Sequence, residues 1–570
     1  MRYFILVMRK VFLITFTLCV THLAYASNAI QTEPVILDGK NLTIEEVVKV
    51  ARQNVFVKID NGALVKVKRS HQLLLLAAEK DLPIYGLNRG VGLNKDKTIF
   101  KGNVLTAEAR KESEQFNMND IYATSAGVGP NASREVVRAA MVARLNTLLL
   151  GNAGVQPSVV EMFAAFLNND ITPIFPSGGS IGEADITILA HIGLAMTGKG
   201  DVWYKGKKMS ATVALKKAGL KPLHLFAKDA LSIFSSNAYT AGMATLAVYD
   251  VEKLINKYDL LVSLSLEGIN GNVAPLLQPV RTIRPFPGQG VSADNIITYL
   301  QGSYLLDTSA KRALQDPLSF RTASQVSGAT RDVLKDLKQD LTIQLNSSDD
   351  NPAVIIDISP NENASPQEKT YYVSDGKLSG AVIPTANFEP ISWVLNIERL
   401  NIALGHMSAS STQRIVKLGS FCINQISRFL SPDQATIAFA AIQKPIMYLN
   451  TDIQQQSIPV STISYPVAGE IEDTATNSLL VVQHLIKIVD NLYQIMGFEL
   501  IHASQAINLK KLQTPGLKLG KSTKTLYSDF RKIVPFLQKD RELTPDIKNA
   551  YEFISSYDFD RKNANPPRSI

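Results

Sequence analysis

A mainly α-helical fold, a bundle of long helices carrying small β-hairpins, is what this chain predicts, on three observations. Helical stretches at 227–265, 320–343, 390–430, 433–450 and 473–508 are long and apolar on more than one face, the pattern of helices buried within a bundle. Val202-Trp203-Tyr204 and Lys207-Lys208-Met209 across Lys205-Gly206, and the segment Tyr371 to Lys377, read as hairpins. With 570 residues, 45% of them hydrophobic, the chain buries a large core in more than one layer or lobe.

At the N-terminus, Arg9 and Lys10 precede an apolar run from Val11 to Val20, and Ala24-Tyr25-Ala26 fits a cleavage site before Ser27. This predicts a signal peptide over 1–26, a mature domain over 27–570, and a periplasmic or secreted location. The apolar run is short for a spanning helix, so no membrane attachment is expected after cleavage. Cleavage removes Arg2, Arg9 and Lys10 and takes the net charge from +8 to +5. That is too mild a charge to support nucleic-acid binding. Cys19 is lost as well, leaving Cys422 and no intramolecular disulfide. The histidines are scattered without paired ligand spacing, so no metal site is expected.

Residues 27–60 read as a short β-rich or irregular arm in which Thr43-Ile44-Glu45-Glu46 opens a helix. Val65 to Lys80 is helical, and the loop from Tyr85 to Gly92 follows with a glycine spacing unlike a dinucleotide fingerprint. Ser133 caps a helix with Val137, Met141, Leu145, Leu148 and Leu149 on one stripe, and Val155 to Leu167 forms a second. Ser177 to Gly182 holds three glycines and two serines, a backbone able to take tight turns and positive φ. Glu183 and Asp185 then sit in the first turn of a buried helix, Ile186 to Met196, that ends near Gly198 and Gly200. Ser210 caps the helix after the first hairpin. Lys510, Lys511, Lys518, Lys521 and Lys524 read as a solvated face, and 541–570 as peripheral.

The stretch Gly179-Ser180-Ile181-Gly182 … Asp185-Ile186-Thr187-Ile188-Leu189-Ala190-His191 resembles the signature of the histidine and phenylalanine ammonia-lyase family. Tyr204-Lys205-Gly206 … Ser210-Ala211-Thr212 … Ala218-Gly219-Leu220 … Pro222-Leu223 continues the likeness, which runs from about Tyr85 to Gly497. The resemblance implies a long-helix bundle of the histidine ammonia-lyase type, a homotetramer, and a small amino acid or betaine as substrate. In that family the loop carries Ala-Ser-Gly, which cyclises into an electrophilic methylidene-imidazolone. Here Glu183-Ala184 stands in its place, one residue shorter, so no such cofactor is expected.

The same resemblance implies roles for single residues. Tyr85, in a Tyr-Gly-x-Asn-x-Gly-x-Gly frame, matches the family's catalytic tyrosine. A phenol with a pKa near ~10 needs nearby positive charge to act as a base, and Arg89 and Lys95 are the expected sources. Arg321, in a motif with Gln315, matches the arginine that holds the substrate carboxylate, a task suited to a guanidinium fork. Glu472 matches an acid that contacts the substrate's amine or ring. Asn387-Phe388 and Asp350-Asn351-Pro352 match too, as structural or substrate-facing residues; Asn351, Phe388 and Arg89 are taken as substrate-binding candidates. Leu318 replaces a tyrosine, Thr124 a ring-selecting histidine, and Ser235 the asparagine that supports the electrophile. The electrophile and its supports are gone, whereas Tyr85, Arg321 and Glu472 remain.

A quaternary nitrogen departs as a neutral tertiary amine and needs no electrophile. The ergothionases of this superfamily resemble that solution: they expel trimethylamine from the betaine of a thiol-histidine, with a lysine to protonate the ring. Lys444, in Gln443-Lys444-Pro445, is the candidate for that lysine. Three readings stand open: a carbon–nitrogen lyase acting on a histidine-like or aromatic amino acid or betaine, an ammonia-lyase with a drifted motif, and a secreted protein that binds an aromatic metabolite without turnover.

Overall fold

Residues 33–309 and 311–558 are described by the structure, a computed structural model; the segment read as a signal peptide lies outside them. Thr43 opens α1 (Ile44–Gln53) through a reciprocal cap, its hydroxyl accepting from the Glu46 N–H at 3.2 Å while the Glu46 carboxylate accepts from the Thr43 N–H at 2.9 Å. The parallel pair Val35–Leu37 and Val57–Ile59 flanks α1 and forms the expected arm. Next come α2 (Asn61–Glu79), α3 (Ala107–Thr124) and α4 (Arg134–Leu148), the last capped by Ser133 as the sequence predicts. The apolar run after the glycine loop is α5 (Ile186–Met196). Both hairpins form, Asp201–Tyr204 with Lys207–Ser210, and Tyr372–Ser374 with Ser379–Ile383. Ser210 stands at the start of the helix Ala211–Ala218, but its side chain makes no capping bond.

The stretch read as one helix over 227–265 is two, α6 (Asp229–Phe234) and α7 (Ala238–Ile269). The break has a cause: the Asp349 carboxylate accepts from the Ser236 hydroxyl at 2.7 Å and the Asn237 N–H at 3.0 Å, pulling the backbone out of helical register. Then follow α8 (Ala323–Leu345), α9 (Ile391–Leu418), α10 (Gln443–Gln456) and α11 (Ser478–Gln513). The helix predicted from 433 starts only at Gln443, because the Ile437 and Ala438 N–H groups bond instead to the Asp540 carboxylate at 2.7 and 2.9 Å.

Helices α7, α9 and α11 pack along one another at the centre. Their contact encloses a charged pair, Arg414 on Glu499 at 2.6 and 2.8 Å, with Ser265 and Ser411 completing the carboxylate's hydrogen bonds at 2.6 and 2.5 Å. A buried ion pair stabilises only when its remaining polar groups are satisfied, and this one fixes the register of three long helices. The C-terminal part is not peripheral: α12 (Thr544–Ser556) lies against α11 and buries Ala550, Phe553 and Ile554. A Cβ at Gly497 would fall 3.0 Å from the Tyr551 nitrogen, so this close approach depends on glycine. Nor is the lysine cluster wholly solvated. Burial pushes Lys510 down to about 8, and Lys511 Nζ lies over the Tyr527 ring at 4.2 Å, whereas Lys518, Lys521 and Lys524 are exposed. Among the described residues no helix is long and apolar enough to cross a membrane, and no three His, Cys, Asp or Glu side chains converge to hold a metal.

Candidate active site

A cavity of about 270 Å³ opens where distant pieces of chain meet. The loop after α2 contributes Tyr85 and Gly92, the last turns of α3 Asp120 and Thr124, and the loop before α5 Glu183 and Ala184. Phe234 and Ser235 at the end of α6, then Asn351, Phe388 and Glu472, close it.

The Tyr85 loop is folded around Asn88, whose side chain accepts from the Ile84 N–H at 2.7 Å and donates to the Leu82 carbonyl at 2.8 Å. Gly86 has φ of +73°, and a Cβ there would fall 2.2 Å from Leu231 Cδ2, so only glycine lets the loop close on α6. The Tyr85 hydroxyl accepts from the Gly92 N–H at 2.7 Å. Burial pushes the phenol pKa up, the Gly92 N–H works against this, and the Asp120 and Glu472 carboxyl groups raise it further. The expected lowering by Arg89 and Lys95 is therefore not found. Arg89 donates to the Asn88 carbonyl and the Thr98 hydroxyl at 3.3 and 3.1 Å, Lys95 pairs with Asp96 at 3.4 Å, and neither lines the cavity.

The glycine loop is fastened at both ends. The Ile181 carbonyl accepts from the Asn477 N–H at 2.7 Å, and the Asp185 N–H donates to the Ser236 carbonyl at 2.7 Å. The Asp185 carboxylate accepts from the Thr240 N–H and hydroxyl at 2.8 and 2.6 Å. It thus ties the loop to α7 rather than capping α5, and Glu183 precedes the helix, correcting the expected acidic first turn. Between the anchors Ala184 is held at φ of +64°, a left-handed conformation that costs a residue with a Cβ about 1–2 kcal/mol. This bend places Glu183 on the cavity wall, with Oε1 buried and without a hydrogen-bond partner. Burial, then the neighbouring Glu389 and Glu472 carboxylates, push Glu183 up to about 8; burial also raises Glu472.

That shift has a stability consequence. Between its ordinary value of 4.5 and about 8, Glu183 binds a proton in the folded chain that the unfolded chain has released, so stability falls as pH rises through this window. Glu183→Gln is expected to flatten the decline of the urea midpoint between pH 5 and pH 8. A decline as steep as that of the parent chain would assign it to other groups.

Asp120 is the titratable residue of the site that the sequence reading missed. It is only 7% exposed, its Oδ2 has no hydrogen-bond partner, and burial pushes it up to about 7. Its signal was positional: it lies four residues before Thr124, on the same face of α3. The cavity thus offers one phenol and three carboxyl groups, with no Lys, Arg or His among its lining residues. This is a setting for moving protons beside a cationic substrate.

Residues 42–532 match the aromatic amino acid lyases. The chain belongs to that family. Histidine ammonia-lyase of Caldanaerobacter subterraneus subsp. tengcongensis is 30% identical over 92% of this chain and 96% of its own length. Histidine ammonia-lyase 2 of Fusobacterium nucleatum is 31% identical over 91% and 96%. Among solved structures, an ergothioneine-degrading ergothionase of Treponema denticola, in complex with desmethyl-ergothioneine sulfonic acid, superposes with a TM-score of 0.84 at 38% identity, covering 92% of this chain and 99% of that one. A tyrosine aminomutase of Streptomyces globisporus superposes with a TM-score of 0.82 at 26% identity over 94% and 100%. The protein is a carbon–nitrogen lyase of the ammonia- or amine-releasing type.

The lyase fold brings some of the sequence-named residues together and leaves others apart. Tyr85, Asn351, Phe388 and Glu472 share the cavity with Thr124 and Ser235. The pair Asn387-Phe388 divides: Phe388 lines the cavity, its carbonyl held by the Asn237 amide, while Asn387 is exposed and donates to the Ser348 carbonyl at 3.3 Å. Asp350 is buried beneath, bonded to Arg144 and Lys228. Arg321 and Gln315 bond to each other on a partly exposed segment, and Lys444 is exposed at the start of α10. None of these three lines the cavity of its own chain.

Proposed function

We propose that this lyase eliminates a tertiary amine from an imidazole-type betaine, as ergothioneine is, without a self-made electrophile. The observation that carries the reading is Glu183-Ala184 in the lining of the cavity that also holds Tyr85. A methylidene-imidazolone needs a serine side chain to dehydrate and a following glycine nitrogen to close the ring. The loop between Gly182 and Asp185 supplies neither, so the group does not fit there. The 38% identity to an ergothioneine-degrading enzyme over 92% of the chain supports the same direction.

In this reaction Tyr85 takes the β-proton. The C–H pair becomes the new C=C bond, and the C–N pair leaves with nitrogen as a neutral amine. The product is an α,β-unsaturated acid. Glu472 and Lys444 attend the ring, and Arg321 with Gln315 the carboxylate. Because Arg321, Gln315 and Lys444 stand away from their own chain's cavity, the reading takes them from neighbouring copies in a homotetramer. Exposed apolar residues near them in the chain support that: Leu314 and Leu318 precede Arg321, and Met447 and Tyr448 follow Lys444. Export through a signal at 1–26 belongs to the same proposal.

A second reading, a histidine ammonia-lyase with an altered loop, is favoured by the histidine ammonia-lyase relatives. Incubating the purified protein with ergothioneine and, separately, histidine separates the two. Trimethylamine and a new conjugated absorbance from ergothioneine alone are expected. Ammonia from histidine would establish the second reading instead, and product from neither would remove both.

A further inference from the structure

Two carboxyl groups in the cavity are not accounted for by holding a ring or a carboxylate. Asp120, one of the residues lining the cavity, is more than nine-tenths buried, and its Oδ2 meets no hydrogen-bond partner. Glu183, in the same lining, also has a buried and unpartnered Oε1, while its carboxyl group meets the Glu389 carboxyl group and accepts from the Thr476 backbone. Native interiors rarely leave carboxyl oxygens in that state, because desolvation without a compensating bond is costly. Serine, threonine or amide donors would have satisfied them, as they satisfy Asp185, Asp349 and Glu499 elsewhere in this molecule. The lining also carries aromatic rings at Tyr85, Phe234 and Phe388, among aliphatic side chains and the polar Thr124, Ser235 and Asn351. Carboxyl groups with buried, unpartnered oxygens, in a lining that carries three aromatic rings and no cationic side chain of its own chain, suit a group that carries positive charge but brings no N–H: a methylated ammonium.

We infer that Asp120 and Glu183 together form a seat for a quaternary ammonium group, so that the loop which in the family makes an electrophile here binds a cation. Asp120 and Glu183 act as specificity residues: they favour the permanently charged leaving group over a neutral or anionic one. The charged substrate also supplies the positive charge beside Tyr85 that neither Arg89 nor Lys95 provides. Burial pushes Asp120 to about 7 and Glu183 to about 8, so both ionise readily once a cation lies against them. The inference rests on the betaine reading for its substrate class, but the seat itself is testable without turnover.

The probes are choline and its neutral isostere 3,3-dimethylbutan-1-ol, titrated calorimetrically into the purified full-length protein at pH 8.5. Choline is expected to bind at least about tenfold more tightly than the alcohol, and Asp120→Asn and Glu183→Gln each to bring the ratio close to one. Equal binding of the two probes by the parent chain overturns the seat, as does an unchanged ratio in both variants. The parent-chain comparison decides the matter even where a variant does not fold. Preference for choline without turnover of ergothioneine would keep the seat and remove the proposed reaction; turnover with no preference would do the reverse.

Discussion

Tyr85→Phe is expected to lower kcat on the productive substrate by about 10²- to 10⁴-fold, the range for loss of a positioned proton acceptor, with KM changed by no more than a few-fold. The phenol is the group in the cavity with both the position and the basicity to take a β-proton, and the substitution removes little else. It gives up one acceptor, that of the Gly92 N–H at 2.7 Å, at a stability cost of about 1 kcal/mol. Activity, KM and circular dichroism measured together check the prediction. Retained kcat would show that another group, with Glu472 first in line, takes the proton. Because burial and two carboxyl groups hold the phenol up, kcat/KM of the parent enzyme is also expected to rise with pH on the alkaline side.

Asp350→Asn is expected to cost about 3–5 kcal/mol of stability, the price of leaving buried charge unpaired. Asp350 accepts from Arg144 Nη2 at 2.7 Å and from Lys228 Nζ, and all three side chains are fully buried. Arg144 keeps Asp349 at 2.9 Å and the Ser232 carbonyl at 3.0 Å, whereas Lys228 loses its bonded counter-ion. Burial already lowers the Lys228 pKa, and Asp350 is the main influence that raises it. Urea midpoints of Asp350→Asn, Lys228→Met and the double variant check this. The double variant should recover part of the loss, because the lysine charge has been removed with its partner. Additive losses would mean that the two residues do not act as a pair. Activity should fall along with stability, since Asn351, next in the chain, lines the cavity and its side chain accepts from the Thr385 N–H at 2.9 Å.

The elements most legible in the sequence were those set by local chemistry. Thr43 and Ser133 start helices because a hydroxyl three residues ahead satisfies an orphan N–H, and each does so here. The Tyr85 loop was legible because glycines and Asn88 fix its turn within a few residues. Less legible were boundaries decided by distant carboxylates. Helix α6 stops at Phe234 because Asp349, more than a hundred residues later, captures Ser236 and Asn237. Helix α10 starts late because Asp540 holds Ile437 and Ala438. Such competition with helical hydrogen bonds leaves no periodic trace in the chain.

By itself the sequence determined a mainly helical bundle with two hairpins, the glycine loop with its altered Glu183-Ala184 core, and Tyr85 and Glu472 as candidates for one chemistry. Tertiary structure decided the rest. It separated Phe388 from Asn387, assigned Asp350 to a buried ion network and Asn351 to the cavity, and bonded Arg89 and Lys95 to other groups than the phenol they were expected to activate. It added Asp120, ordinary in a helical sequence until folding buries its carboxyl group near Tyr85, in the cavity that Glu183 also lines. The physical reason is common to all of these. A side chain's reach along the chain is a few residues, but its charge state and partners depend on which remote segments share its low-dielectric surroundings, and packing alone settles that.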